Sequence, residues 1–307
     1  MWPAKATYIG FAVQSWRLVD LTAHNAFMNM AIDEAILKAS IQQGKPQEGL
    51  QGKQQREWVG TIRFYTWTPA AISIGCMQKF SADFNLSQIE QLGLALVRRP
   101  TGGRAVLHGG DLTYSLVFAE NNPIIPRGTM ASYYKISQAI QRGLALLGLP
   151  AQLCHERKIS RSAFCFAGKA KYEILLQGKK VMGSAQRRER GAVLQQGSIM
   201  VENQRELIQR IFSSPRLDEL FSVEGASRDS RAEEVEFGSE FTSLEEVAGG
   251  PIAICLLKEA LIRGIEEEFD ICLARGPLTG WEKNESERLC QEKYSRPLWT
   301  IRGYRNE

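Results

Sequence analysis

A chain of 307 residues with 44% hydrophobic and 23% charged residues has the balance of one large globular domain, or of a domain with a small appendage. No run approaches the ~20 apolar residues of a membrane helix, and MWPAKATYIGFAVQSW at the N-terminus lacks the order of a secretory signal. The formal charge of +4 is too small to argue for nucleic acid, so a cytoplasmic protein that engages neither membrane nor nucleic acid is expected.

In chain order, residues 25–39 (NAFMNMAIDEAILKA) space Phe27, Met30, Ala31, Ile32, Ala35 and Ile36 toward one face of a helix. The Gln-, Gly- and Lys-rich stretch 42–57 predicts a flexible surface loop. Strands are expected at 61–67 and 70–75, split by Thr68-Pro69, and again at 94–98 and 112–118. Residues 131–147 carry Ile136, Ala139, Ile140 and Leu144 at amphipathic helical spacing. Residues 172–177 and 181–186 read as a β-hairpin turning at Gly178-Lys179, with the next strand over 192–201. The acidic, Ser-rich stretch 213–250 predicts a connector laid over the core. Beyond it come an amphipathic helix over 252–268, a polar helix over 280–293 and a short strand over 297–301. This order of helices and strands predicts a mixed α+β core: a catalytic domain over 1–250, then a small C-terminal helical segment over 251–307.

Chemistry concentrates in two stretches. In RRPTGGRAVLHGGDLTYSLVF (98–118), Gly102 and Gly103 let a ligand approach the backbone without a Cβ in the way. Arg98, Arg99 and Arg104 supply forks for carboxylate or phosphate oxygens. A tight turn with solvated arginines would give the same pattern. The second stretch, FCFAGKAKYEILLQGKKVMGSAQRRERGAVLQQGSI (164–199), lies in a basic region. Between residues 151 and 200, Arg157, Lys158, Arg161, Lys169, Lys171, Lys179, Lys180, Arg187, Arg188 and Arg190 face only Glu156, Glu173 and Glu189, a balance that would attract an acidic partner. Neither the six cysteines nor the three histidines fall into metal-ligand spacing, and no metal is expected.

Together the two stretches resemble the lipoate ligase and octanoyltransferase superfamily, which shares its fold with biotin protein ligase. The match rests on Arg98 to His108, on Gly178-Lys179-Lys180-Val181-Met182-Gly183-Ser184-Ala185-Gln186 and on Gln196-Gly197-Ser198-Ile199. Asn29, Met30, Asp33 and Glu34 in the opening helix support it. The resemblance implies a biotin/lipoyl protein ligase-like core, a largely antiparallel mixed sheet flanked by helices.

Within that group Cys165-Phe166-Ala167, followed by Tyr172-Glu173-Ile174, looks like the monomer-type octanoyltransferases, where a cysteine carries the acyl group as a thioester. Lipoate ligases often have Asn-Asp in this neighbourhood. Gly168-Lys169-Ala170 departs from the transferase pattern, commonly Ala-Pro-Ser, and this bears on acyl-chain preference. The resemblance implies that Lys180 faces the acyl carbonyl, where its charge would favour a Cys165 thiolate and a negative oxygen. Strand alternation turns Lys179 away. Lys180→Ala is then expected to abolish acyl-enzyme formation with the fold intact.

Arg99, Gly102, Gly103, Arg104, His108, Gly183, Ser184 and Ala185 would bind substrate, His108 by orienting the site or by accepting the proton of the incoming lysine. Val106, Leu107, Val181 and Ile199 would line the acyl tunnel, where burial is worth about 0.8 kcal/mol per CH₂. The implied partners of this monomer are octanoyl-acyl carrier protein and a lipoyl carrier protein, such as the glycine-cleavage H protein or a 2-oxoacid dehydrogenase lipoyl domain. No cofactor is then required. Three alternatives stay open: an ATP- and Mg-dependent lipoate–protein ligase in which Cys165 is incidental, amidotransfer between H protein and lipoyl domains, and a carrier-binding adaptor without turnover.

Overall fold

The computed structural model describes residues 15–43, 58–79, 84–156, 164–212 and 239–303. The loop expected over 42–57 lies outside the described residues beyond Gln43, and the connector expected over 213–250 does so up to residue 238. The chain runs through β1 (Ser15–His24), α1 (Ala26–Gln43), β2 (Gly60–Trp67), β3 (Ala71–Ile74), α2 (Leu86–Gln91), β4 (Ala95–Arg98), β5 (Val106–His108) and β6 (Asp111–Ala119). It continues with α3 (Thr129–Leu146), β7 (Gln152–Leu153), a 3₁₀ turn (Cys165–Ala167), β8 (Ile174–Leu176), β9 (Lys179–Lys180), β10 (Met182–Glu189), β11 (Ala192–Met200) and α4 (Arg205–Phe212). The last elements are α5 (Leu244–Ala248), α6 (Ile254–Phe269), β12 (Cys272–Arg275), α7 (Gly280–Leu289), a π turn (Cys290–Tyr294) and α8 (Pro297–Arg302).

Six strands form the main sheet in the order β10-β11-β6-β2-β1-β12. Strands β10, β11, β6 and β2 are antiparallel neighbours, whereas β1 runs parallel to both β2 and β12. Two three-stranded sheets, β4-β3-β5 and β7-β8-β9, complete the α+β architecture.

Alternation along the strands divides the main sheet into an apolar and a polar face. Ile62 and Phe64 of β2, with Leu112, Tyr114, Leu116 and Phe118 of β6, join α3 and α6 in the largest apolar cluster. The intervening Arg63, Tyr65, Thr113 and Ser115 are buried on the side of α1, where Arg63 and Ser115 bond to its Asp33. Helix α1 therefore departs from the one-sided helix expected. Its polar positions are buried on two sides: Asn29 and Asp33 against the main sheet, where they bond to Arg63, and Glu34 under the π turn, which covers what would have been the solvent face. Lys293 reaches Glu34 at 2.7 Å, Tyr294 also bonds to it, and Lys38 meets Glu285 at 2.9 Å.

Other expectations change on the polypeptide itself. Residues 181–186 are not the second arm of the hairpin that starts at 172. Lys179–Lys180 is that arm, pairing with β8, and the chain then crosses at Val181 into β10 of the main sheet. In the described end of the 213–250 segment Phe241, Thr242, Ser243 and Leu244 are part of the core, while 245–250 lie at its surface. Residues 297–302 are helical, not extended. Pro297 occupies the first turn, where its missing N–H costs nothing, and the helix end is held by Arg98. Residues 254–275 supply a helix packed on α3 and the edge strand beside β1, and a buried Arg17–Glu282 pair at 2.6 Å ties α7 to β1.

Candidate active site

Strand β9 is only two residues long, yet it is bonded on both sides. Leu175 pairs with Lys180 across the hairpin, while Lys180 N donates to Glu240 O and Thr242 N donates to Lys180 O, each at 2.9 Å. This frame leaves Lys179 half-buried and drives the Lys180 side chain inward, where it is 1% exposed. Its Nζ donates to Cys165 O (2.8 Å), Gly168 O (3.0 Å) and Glu173 Oε1 (2.7 Å), and lies 3.8 Å from Cys165 Sγ. Burial works against the charge on Lys180, but the sulfur and the Glu173 carboxylate outweigh it and hold the ammonium above the ordinary lysine range.

Cys165 is positioned by the other motif. Its N–H donates to Ala105 O at 2.8 Å, beside a bridge between Ala105 and Phe164. Phe164 and Phe166 point into an aromatic cluster with Phe241. The half-buried sulfur between them lies over Gly183, where an added Cβ would sit 3.1 Å from Sγ and 3.5 Å from Lys180 Cε. Gly183→Ala is expected to slow acylation of Cys165 by about tenfold, since the sulfur must yield a few tenths of an ångström where a 1 Å misplacement costs about 100-fold, with little loss of stability. Single-turnover acylation together with thermal unfolding checks both halves.

The arginines serve the backbone. Arg98 gathers the carbonyls of Gly75, Cys76 and Gln78 and those of Trp299, Thr300 and Ile301. Arg99 donates to Ser73 O and Oγ and to the carbonyls of Gly102 and Arg104. Its guanidinium thus shapes the glycine loop from within. At the crest of that loop Gly103 has φ +87° and packs so tightly that a Cβ on Gly75 would lie 1.9 Å from Gly103 O.

His108 stacks on Trp67 at 3.9 Å and bonds through Nδ1 to Asp111 Oδ2 and through Nε2 to Ser73 Oγ, each at 2.8 Å. Burial pushes Asp111 toward its neutral form, but His108, Ser198 and Thr113 reverse this and hold the carboxyl below its usual range. An ionised Asp111 only accepts, so Nδ1 donates to it and Nε2 faces Ser73.

A cavity of about 40 Å³ joins these groups. Arg99, Gly103, His108, Cys165, Gly183, Ser184 and Ala185 line it, whereas Gly102, Arg104 and Lys180 do not. Of the four residues expected to form an acyl tunnel only Val106 reaches it; Val181 and Ile199 belong to the apolar core under the main sheet and Leu107 to the cluster around Phe164. The walls are instead supplied by Tyr65, Trp67, Ser73 and Thr113, for which the sequence offered strand alternation but no motif, and by Gln196 and Ser198 of the Gln196 to Ile199 motif. Asp33 holds two of them, accepting from Tyr65 OH at 2.8 Å and from Gln196 Nε2 at 2.7 Å.

The expected basic face is largely paired. Arg187 meets Glu189, Arg188 meets Glu120 and Lys169 meets Glu240, while Arg157, Lys158 and Arg161 lie outside the described residues. Among the described residues no three His, Cys, Asp or Glu side chains are grouped to hold a metal ion, and no helix is long and apolar enough to cross a membrane.

The lipoyl protein ligase A/B catalytic domain matches residues 25–266, and the chain belongs to that family. It is 33% identical over 299 residues to octanoyltransferase LipM of Geobacillus kaustophilus, covering 95% of this chain and 99% of that one. It is 34% identical over 292 residues to octanoyltransferase LipM of Carboxydothermus hydrogenoformans, covering 94% and 100%. In fold it is similar to a lipoate-protein ligase A crystallised with ATP, with TM-score 0.69 at 23% identity over 94% of this chain and 98% of that one. A bipartite lipoate protein ligase from Thermoplasma acidophilum, studied with its E2 lipoyl domain, gives TM-score 0.70 at 24% identity over 96% and 99%.

Proposed function

We propose that this chain is an octanoyltransferase of lipoate biosynthesis, moving an octanoyl group from acyl carrier protein to a lysine of a lipoyl carrier protein through a thioester on Cys165. The observation that carries the reading is the 3.8 Å approach of Lys180 Nζ to Cys165 Sγ at the wall of the cavity. The octanoyltransferases similar to it along nearly their whole length support the same choice.

In the first step the Cys165 thiolate attacks the carrier's thioester carbonyl. The carrier sulfur leaves as a thiolate and takes up a proton. In the second, a neutral lysine amine attacks the Cys165 thioester, an amide forms, and Sγ departs as a thiolate. Exchange between thioesters is nearly isoenergetic and conversion to an amide runs downhill, so the sequence consumes no ATP. Lys180 supplies positive charge beside Sγ and, by exchanging one of its carbonyl partners, a donor for the negative oxygen of each tetrahedral intermediate. His108, fixed by Asp111, is the candidate acceptor for the amine's proton. The glycine loop and Gly183 to Ala185 frame the acyl group, and the enzyme works as a monomer.

Intact-mass measurement after incubation with octanoyl-acyl carrier protein and no ATP tests the reading. An octanoyl adduct is expected that disappears with hydroxylamine and in Cys165→Ser, with turnover down by at least about 10³-fold. Adenylate formation from free lipoate and ATP, indifferent to Cys165→Ser, would instead establish a ligase.

A further inference from the structure

Glu173 is a buried carboxylate that none of these steps uses. It is 4% exposed, reaches Lys180 Nζ at 2.7 Å through Oε1, and accepts from Ala170 N at 2.7 Å through Oε2. Tyr172 just before it adopts φ +68°, a conformation rare for an aromatic residue and retained where surrounding contacts impose it. Here Tyr172 N donates to Cys154 O and Cys154 N donates to Glu173 O; these bonds fix the residue that carries the carboxylate. The two acceptors that share Lys180 with Glu173 are neutral carbonyls, which orient an ammonium without setting its charge.

We infer that Glu173 is the residue that keeps Lys180 cationic beside Cys165, so that the reactive unit is a Cys165–Lys180–Glu173 triad in which the carboxylate acts through the lysine. It is a positioning residue, because it touches the lysine and not the sulfur. The inference rests on Cys165 as acyl carrier, and it makes Lys180 a fixed cation rather than a base.

The groups facing this pair are few. Cys165 lies against Lys180, and Arg104 and Tyr133 act on Glu173 from the glycine loop and from α3. Cys165 and Glu173 both favour the ammonium against burial. Without the carboxylate the sulfur is left to do so, and it can only once its own thiol is ionised. Burial would therefore drive Lys180 toward the neutral amine while Cys165 is a thiol. The thiolate would then lose the lysine's charge and keep that of Arg99, which also acts on it. Burial and Lys180 pull Glu173 in opposite directions, with burial prevailing, which is the strain expected of a carboxylate kept in the interior by one cation.

Alkylation of Cys165 by iodoacetamide, followed on its own peptide by mass spectrometry across a pH series, reads the inference without any acyl substrate. Glu173→Gln is expected to move the alkylation profile to higher pH and to slow the reaction at neutral pH by about tenfold or more, one pK unit or beyond. Lys180→Ala should move it the same way. The double variant should move it no further, since both changes remove one charge. A wild-type profile in Glu173→Gln overturns the inference, as does an additive double variant.

Should the Gln variant fail to fold, ¹⁵N-lysine NMR of the unaltered protein decides. An ammonium signal for Lys180, assigned by its loss in Lys180→Arg, that persists into alkaline pH upholds the inference, and a neutral amine at pH 7 overturns it. Failure here leaves the octanoyl adduct intact. Absence of that adduct in the unaltered protein would overturn the transferase reading whatever the alkylation profile.

Discussion

Lys180→Ala is expected to slow formation of the Cys165 thioester by about 10²–10³-fold, the scale of losing one preorganised charge at an oxyanion. It should also destabilise the fold by about 3–5 kcal/mol, the cost of breaking a buried ion pair from one side. The second effect revises the sequence-based expectation of an intact fold. The substitution strands Glu173 in the interior and frees the carbonyls of Cys165 and Gly168, whose turn the ammonium holds. Replacing the pair by Lys180→Met with Glu173→Leu should recover most of the stability and none of the activity, which separates the roles. Urea unfolding and single-turnover acylation measure the two terms. Near-normal turnover in Lys180→Ala would remove the lysine from the mechanism.

Arg63→Met should be at least as damaging to stability, by about 3–5 kcal/mol. Arg63 and Asp33 are both 0% exposed and 2.8 Å apart, and Arg63 also binds Asn29 O and Oδ1. The change leaves a carboxylate under the main sheet with only the neutral donors Tyr65, Ser115 and Gln196. Tyr65 and Gln196 are also cavity walls, so octanoyl transfer should fall together with the unfolding midpoint. A loss below about 1 kcal/mol would show that the pair is not desolvated as its burial implies.

The sequence made the core strands and the two long C-terminal helices legible, because hydrophobic alternation and helical spacing are local signals. It was also sufficient to bring Cys165, Lys180 and the glycine loop into one site, through motifs rather than periodicity. What it concealed depends on partners distant along the chain. Polar residues of α1 look solvent-facing until the polar face of the sheet meets Asn29 and Asp33 and the π turn covers Glu34. Residues 297–302 look extended until Arg98 caps them.

Glu173 was hidden by one residue of register. A turn at Gly178-Lys179 sets Lys180 opposite Gln177 and leaves Glu173 remote. The actual turn is Gln177-Gly178, both with positive φ (51° and 75°), as a two-residue hairpin of type I′ requires. Lys180 then pairs with Leu175, and Glu173 becomes its diagonal neighbour on the same face. The acyl tunnel misled for a related reason. Val181 and Ile199 are apolar and close to the motif in sequence, but their side of the sheet is the core.

The Arg98 cage has a consequence for biogenesis. Its guanidinium clasps the turn that supports Gly103 and also the final helix, two pieces of chain separated by some two hundred positions. Proteins are made from the amino end and early parts begin folding first. The substrate loop therefore cannot be locked until that helix has emerged from the ribosome, and before then a nascent chain that already carries both motifs has no finished place to load a fatty acyl group.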